Sequence, residues 1–329
     1  MAHKPHFIVT AIVGILNKKG IAIAADSAVS FSNGTRTLYN KDGQEETVSD
    51  TKILNSGDKM LRLKDKQRVA VMIVGNSHLC LSSSQHIPWD VIIRWYRKQH
   101  DESGFPSLKD YIEDLMGFVN SNLLKGSECF KPSESTFLVF AGYAENDRYP
   151  SICYCEVPEV KNGKISCLPP QNLQTISDKK ESAVFALGMP YIIDSIKYGI
   201  QEERIDSISH QLPTVLTDLL YKVDLYEQAM SINREHFASK VKEMIQENKK
   251  KHYSQLLELI KNYNLEDMAA LAENMIEATE LHRKITFQQE NVGGLVDLAL
   301  ITRNDGFQWL NRKSWYEPSR GGQYGKFGI

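Results

Sequence analysis

The sequence predicts an α+β fold, a four-layer αββα sandwich in which two β-sheets face each other and helices cover both outer faces, with a helical insertion. Three observations carry this. Two apolar, β-branched runs at residues 7–16 and 21–26 flank Asn17-Lys18-Lys19-Gly20, a segment suited to a hairpin turn. After them the pattern runs strands, two helices, strands, helices, strands. Between Arg204 and Asn264 the chain has no glycine and is charged, helix-favouring and amphipathic, as an added helical hairpin would be.

The elements follow in order. The polar segment Ser27 to Asp58 carries the turn signals Asn33-Gly34 and Asp42-Gly43 and predicts an extra hairpin. Val69 to Val74 is a continuous apolar run, as a strand covered on both faces requires. A helix is predicted over Ser77 to Gln99, because Trp89, Ile92, Ile93 and Tyr96 fall at spacings of three and four. A second runs from Leu108 to Leu124, with Ser107 as N-cap and Asp110 adding negative charge to the first turn. Thr136 to Tyr143 and Ser151 to Val157 read as strands joined across Glu145-Asn146-Asp147. Ser182 to Leu187 is another, entering a helix at Pro190, a residue tolerated in a first helical turn.

In the insertion, Leu212, Leu216, Leu219, Leu220 and Val223 form one apolar stripe, Phe237, Val241, Met244 and Ile245 a second, and Leu256, Leu257 and Ile260 a third. Lys249-Lys250-Lys251 between them reads as a solvated helix face. Glycines and Pro318 make the last residues irregular. The chain thus divides into a leader (1–9), a core (10–203 and 265–311), the insertion (204–264) and a tail (312–329).

With 329 residues, 42% of them hydrophobic, the chain has ample length to bury a core. A net charge of −2 gives no electrostatic case for nucleic acid. Five cysteines do not make a disulfide framework, and reduced thiols in a cytoplasmic protein are the expectation. No apolar run approaches the roughly 20 residues of a membrane helix, and residues 1–9 lack the apolar centre of a signal peptide. His3 and His6 read as part of a solvated leader.

Three residues suggest chemistry: Thr10 at the head of the first strand, Asp26 at the end of the second, and Lys59 just before the run Met60-Leu61-Arg62-Leu63. Together they would supply a nucleophile, an orienting carboxylate and a cation that lowers nearby proton affinities. Each has a plain structural reading: a strand threonine, a turn-forming aspartate, a solvated lysine. Lys52 is a rival to Lys59. Asp297, inside an apolar strand, should find a buried partner.

The pattern resembles the proteasome β subunit and its bacterial relatives, the HslV-type and Anbu-type peptidases, all N-terminal nucleophile hydrolases. In their motif a threonine opens an apolar strand, Ala-x-Asp closes the next, and a lysine precedes a third. Ala186-Leu187-Gly188-Met189-Pro190-Tyr191 is similar to their Gly-x-Pro-aromatic segment. Gly293 to Thr302 is similar to their late Gly-Gly-x-apolar-Asp strand, with Arg303 to Phe307 as hairpin turn.

The resemblance implies that cleavage after Val9 frees the Thr10 amine, which accepts the proton of its own hydroxyl. Lys59 would stabilise negative charge and Asp26 would hold Lys59. Met72 and Gly75 fall near the family's oxyanion-binding amide, and Gly188 and Gln289 near its supporting positions. Gln289 and Val292 stand where the family has Asp and Ser. No cofactor is required. The implied substrate is a peptide or unfolded protein, and the implied partners are further copies in a ring and an ATP-driven unfoldase. Two alternatives stay open: an unprocessed, catalytically silent structural or binding subunit, and a small-molecule amidase of the same fold.

Overall fold

The computed structural model describes residues 10–39, 45–54, 58–64, 68–81, 85–100, 104–124, 135–157, 160, 163–165, 169–188, 190–231, 233–286 and 293–312. The strands are β1 (Ala11–Asn17), β2 (Gly20–Ala25), β3 (Val29–Tyr39), β4 (Glu45–Leu54), β5 (Met60–Arg62), β6 (Val69–Gly75), β7 (His78–Cys80), β8 (His86–Pro88), β9 (Thr136–Gly142), β10 (Ser151–Val157), β11 (Gln171–Thr175), β12 (Ser182–Gly188), β13 (Asp297–Thr302) and β14 (Gly306–Asn311). The helices are α1 (Trp89–Gln99), α2 (Leu108–Asn122), α3 (Pro190–Tyr198), α4 (Glu202–Lys222), α5 (Tyr226–Ser231), α6 (Arg234–Asn262) and α7 (Leu265–Lys284). The described residues thus form a mixed α/β structure of antiparallel sheets and seven helices.

Two sheets of five strands dominate, ordered β12-β1-β2-β13-β14 and β11-β10-β9-β6-β5. The alternation of a β-strand explains how their residues are shared. Ile12 and Leu16 of β1 join Ile21 and Ile23 of β2 in a core that also takes Ala70, Met72 and Val74 of β6, so this core draws on both sheets. Ala11, Val13 and Ile15 turn the other way, onto Ile260 of α6 and Met268, Ala272 and Ile276 of α7. In β6 the odd positions Val69, Val71 and Ile73 meet Trp89, Ile92 and Tyr96 of α1 and Tyr111 and Leu115 of α2. Each such side chain contributes about 1.5–3 kcal/mol when fully buried. Ala22 and Ala24 are small where β2 meets α7, which lets the helix lie close.

Several expectations are met residue by residue. The Ser107 hydroxyl accepts a hydrogen bond from the Asp110 amide at the start of α2, and β3 and β4 form the extra hairpin. Asn33-Gly34 lies inside β3, where the register shifts between Ser32 and Thr35. Asp42-Gly43 lies outside the described residues.

One helix boundary differs. Residues from Ser77 onward do not continue α1; His78–Cys80 and His86–Pro88 pair as a short hairpin, and the helix begins at Trp89. Pro88 explains this, since proline disfavours helical backbone in the residue before it and lacks the N–H a helix interior needs.

The end of α6 is tied to the strands. Asn17, fully buried, donates from Nδ2 to the carbonyls of Ile260 (2.9 Å) and Tyr263 (3.1 Å). Ser182 donates to the Leu257 carbonyl at 2.7 Å. Lys249 is not a solvated face residue: it is 9% exposed, with its ammonium 4.9 Å from the centre of the Tyr198 ring. No helix among the described residues is long and apolar enough to cross a membrane.

Candidate active site

Thr10 immediately precedes β1, Asp26 immediately follows β2, and Lys59 immediately precedes β5. The β1–β2 register pairs Ile12 with Ala25, so the hairpin returns Asp26 to the start of β1. There the Asp26 amide donates to the Ala11 carbonyl (3.2 Å), and Asp26 Oδ1 accepts the Ala11 amide (2.9 Å). Ala11 and Asp26 are thereby fixed to each other by backbone and side chain together, with Thr10 the residue before.

Lys59 comes from the other five-stranded sheet. Its Nζ lies 2.9 Å from Asp26 Oδ1 and 3.0 Å from Oδ2, and Oδ2 also accepts the Ala28 amide at 3.2 Å. Thr10, Asp26 and Lys59 are 2%, 1% and 6% exposed. A carboxylate and an ammonium removed from water this far require each other. The structure therefore brings Asp26 and Lys59 into contact, against the peptide that links Thr10 to Ala11.

Gly188 stands opposite Ala11 at the end of β12. Its φ of +104° suits glycine, and a Cβ there would lie 1.7 Å from the Thr10 carbonyl oxygen. The last turn of β12 can press on Thr10 only because position 188 has no side chain.

Met72 is placed differently from the expectation. Its side chain is buried in the core shared by the two sheets. The Tyr143 amide donates to the Arg68 carbonyl and the Asn76 amide to the Ser135 carbonyl, so even positions of β6 bond toward β9. Met72, opposite Val139, is one of them, and its N–H is committed to the ladder. Odd positions bond toward β5, as the Ile73 amide does with the Lys59 carbonyl. Gly75, with φ +81°, continues that alternation beyond the end of β5.

Gln289 lies outside the described residues. Asp297 is 2% exposed and pairs with Ala25, next to Asp26, and the Ser27 amide donates to the Gly293 carbonyl at 3.1 Å. The late strand thus closes over the same corner. Two contributions were not foreseen: the Ala11 and Ala28 amides on Asp26, and the clearance at Gly188. An aspartate two residues before a small residue at a strand end is the only sequence signal for the first. Among the described residues no three His, Cys, Asp or Glu side chains are grouped to hold a metal ion.

No protein-family model matches the chain, and no curated protein matches it. Among solved structures it is similar to the Anbu (Gly-1) mutant from Hyphomicrobium sp. strain MC1, at 14% identity and a TM-score of 0.39, over 92% of this chain and 86% of that one. The resemblance to the proteasome β subunit and HslV-type peptidases is therefore corrected: that structure bears neither name, and no family assignment to either stands.

Proposed function

We propose that the chain is a threonine-type amidohydrolase acting on peptide bonds, with Thr10 as nucleophile after release of residues 1–9. The observation that carries this reading is the buried Asp26–Lys59 pair, whose carboxylate also holds the Ala11 amide. Apolar residues of the same volume stabilise an interior at least as well as a buried ion pair does. A pair kept beside a threonine that heads an interior strand of the first sheet is better accounted for by chemistry than by stability.

In this mechanism the freed α-amine, with an ordinary pKa of roughly 8, takes the proton of the Thr10 hydroxyl. The oxygen attacks the substrate carbonyl, and Lys59 stabilises the developing negative charge. Asp26 holds Lys59 in place and fixes the Thr10–Ala11 peptide. The amine then returns its proton to the leaving nitrogen, and water resolves the ester, regenerating the hydroxyl. Of the two amides considered for the oxyanion, we assign Gly75 rather than Met72.

The same reading includes a four-layer αββα core, with 204–264 as an insertion, in a self-assembling cytoplasmic protein. The shared core between the sheets and the helix-facing cores on either side support the layering. The test is the N-terminus of purified protein together with hydrolysis of a fluorogenic peptide. A free Thr10 amine, covalent labelling of Thr10 by a threonine-directed inhibitor, and loss of about 10³-fold or more of activity in Thr10→Ala are expected. An active protein retaining residues 1–10 intact overturns it.

One observation favours a second reading, a silent binding subunit. Thr10 is 2% exposed, and its nitrogen is acylated by Val9 in this chain. Absence of labelling at Thr10 with the leader in place would support that reading.

A further inference from the structure

The apolar face of α4 is wider than the surface that covers it. Positions 209, 213 and 217 are buried and 216 and 220 half-buried, and Lys242 of α6 pairs with Asp206 at 2.7 Å. The adjoining strip is uncovered: Leu212, Val215, Leu219 and Val223 recur at intervals of three and four and are 41–62% exposed. Tyr226 (55%) and Met230 (78%) of α5 extend it. Among the described residues, half of the sixteen exposed large apolar side chains lie between residues 212 and 230.

This surface is held in shape. At the end of α4 the Leu225 amide donates to the Leu220 carbonyl at 2.9 Å and the Asp224 amide to that of Tyr221 at 3.3 Å. Asp224 takes the left-handed conformation (φ +58°). That is a Schellman closure, which fixes the corner between α4 and α5.

We propose that this strip is a two-fold contact with a second copy of the chain, two α4 helices packing antiparallel about Leu219. Two features favour a like copy over an unlike partner. An antiparallel pair centred on Leu219 sets Val215 of each copy against Val223 of the other, apolar on apolar, as an isologous contact requires. Asp218 and Lys222, both exposed, sit one turn apart on the flank away from α6. The two-fold brings each beside its opposite in the other copy, so the flank is complementary to itself.

This places one contact of the self-assembly proposed above. Its readout is mass and not hydrolysis, so its failure leaves the Thr10 chemistry standing. In sedimentation velocity at micromolar concentration, the full chain should run as an even-numbered assembly. Leu219→Asp should halve that mass while retaining native circular dichroism. Asp218→Lys, which sets lysine beside lysine, should also halve it, and the double variant Asp218→Lys/Lys222→Asp should restore it. Leu219→Cys should form a covalent dimer on mild oxidation where the wild type does not. A monomeric wild type overturns the proposal, as does a folded Leu219→Asp of unchanged mass. Should Leu219→Asp lose its fold, the charge-exchange set decides: equal masses in the single and double variants overturn it.

Discussion

Gly188 packs edge-on against Thr10, closely enough that a methyl group on residue 188 would overlap the Thr10 carbonyl oxygen. The contact joins the end of β12 to the residue that would carry the reaction.

Gly188→Ala should therefore be costly twice over. An L side chain is strained at this positive φ, by about 1–3 kcal/mol, and the overlap with backbone has no flexible side chain to yield. A clear drop in Tm is expected by calorimetry. Peptide hydrolysis should fall more than stability accounts for, because Thr10 itself is displaced. A variant with wild-type Tm and activity would show that β12 does not press on Thr10.

Asp26 and Lys59 should behave as one unit. Lys59→Met leaves a carboxylate buried without its ammonium, a loss of about 3–5 kcal/mol. Asp26→Asn should cost a similar amount. The double variant should be less damaged than the sum, since neither charge remains. Urea denaturation of the three variants measures the coupling, and additive losses would argue against a buried pair. All three should be inactive.

Asn17→Ala removes two hydrogen bonds from the final carbonyls of α6. Each lost bond costs about 0.5–1.5 kcal/mol, because the Ile260 carbonyl keeps the Tyr263 amide and the Tyr263 carbonyl keeps Lys19 Nζ. Faster amide hydrogen exchange in the last turns of α6, with little change in β9 and β10, is the expected pattern.

Alkaline pH should destabilise the protein in a defined window. Burial pushes the Cys153 thiol from 9.0 up to about 12. Burial likewise raises the Tyr143 hydroxyl from 10.0 to about 12, against the lowering effect of Arg303 and Arg68. Above pH 9 the unfolded chain releases the thiol proton while the folded one keeps it, so stability falls as pH rises toward 12. Below pH 9 neither state releases it and the dependence vanishes. Cys153→Ala should reduce the slope of stability against pH between 9 and 12 by up to about 1.4 kcal/mol per unit.

Much of this was legible in the sequence because strands covered on both faces are uninterrupted apolar runs: β1, β2, β6 and β9 all read that way. Ser107 announced α2 through a local bond. Features that depend on distant partners were not legible. The apolar spacing of Trp89 to Tyr96 gave no start for α1, and Pro88 supplied it. Lys249 looked solvated because its cover, Tyr198, is 51 residues away. Met72 and Gly75 differ in the direction of their N–H groups, which only strand pairing determines.

The order of the first sheet sets a timetable for synthesis. β1 and β2 emerge first, yet their outer partners are β12 and β13, the latter ending at Thr302. Until β12 is made the hairpin carries two bare hydrogen-bonding edges, and until β13 is made the β2 edge stays bare, the condition that invites wrong pairing between chains. The corner around Asp26 receives the Gly293 carbonyl and Asp297 only at that stage. A chain stalled short of residue 297 would thus carry its candidate nucleophile in an unfinished cradle, and any self-cleavage there would have to wait for nearly the whole polypeptide.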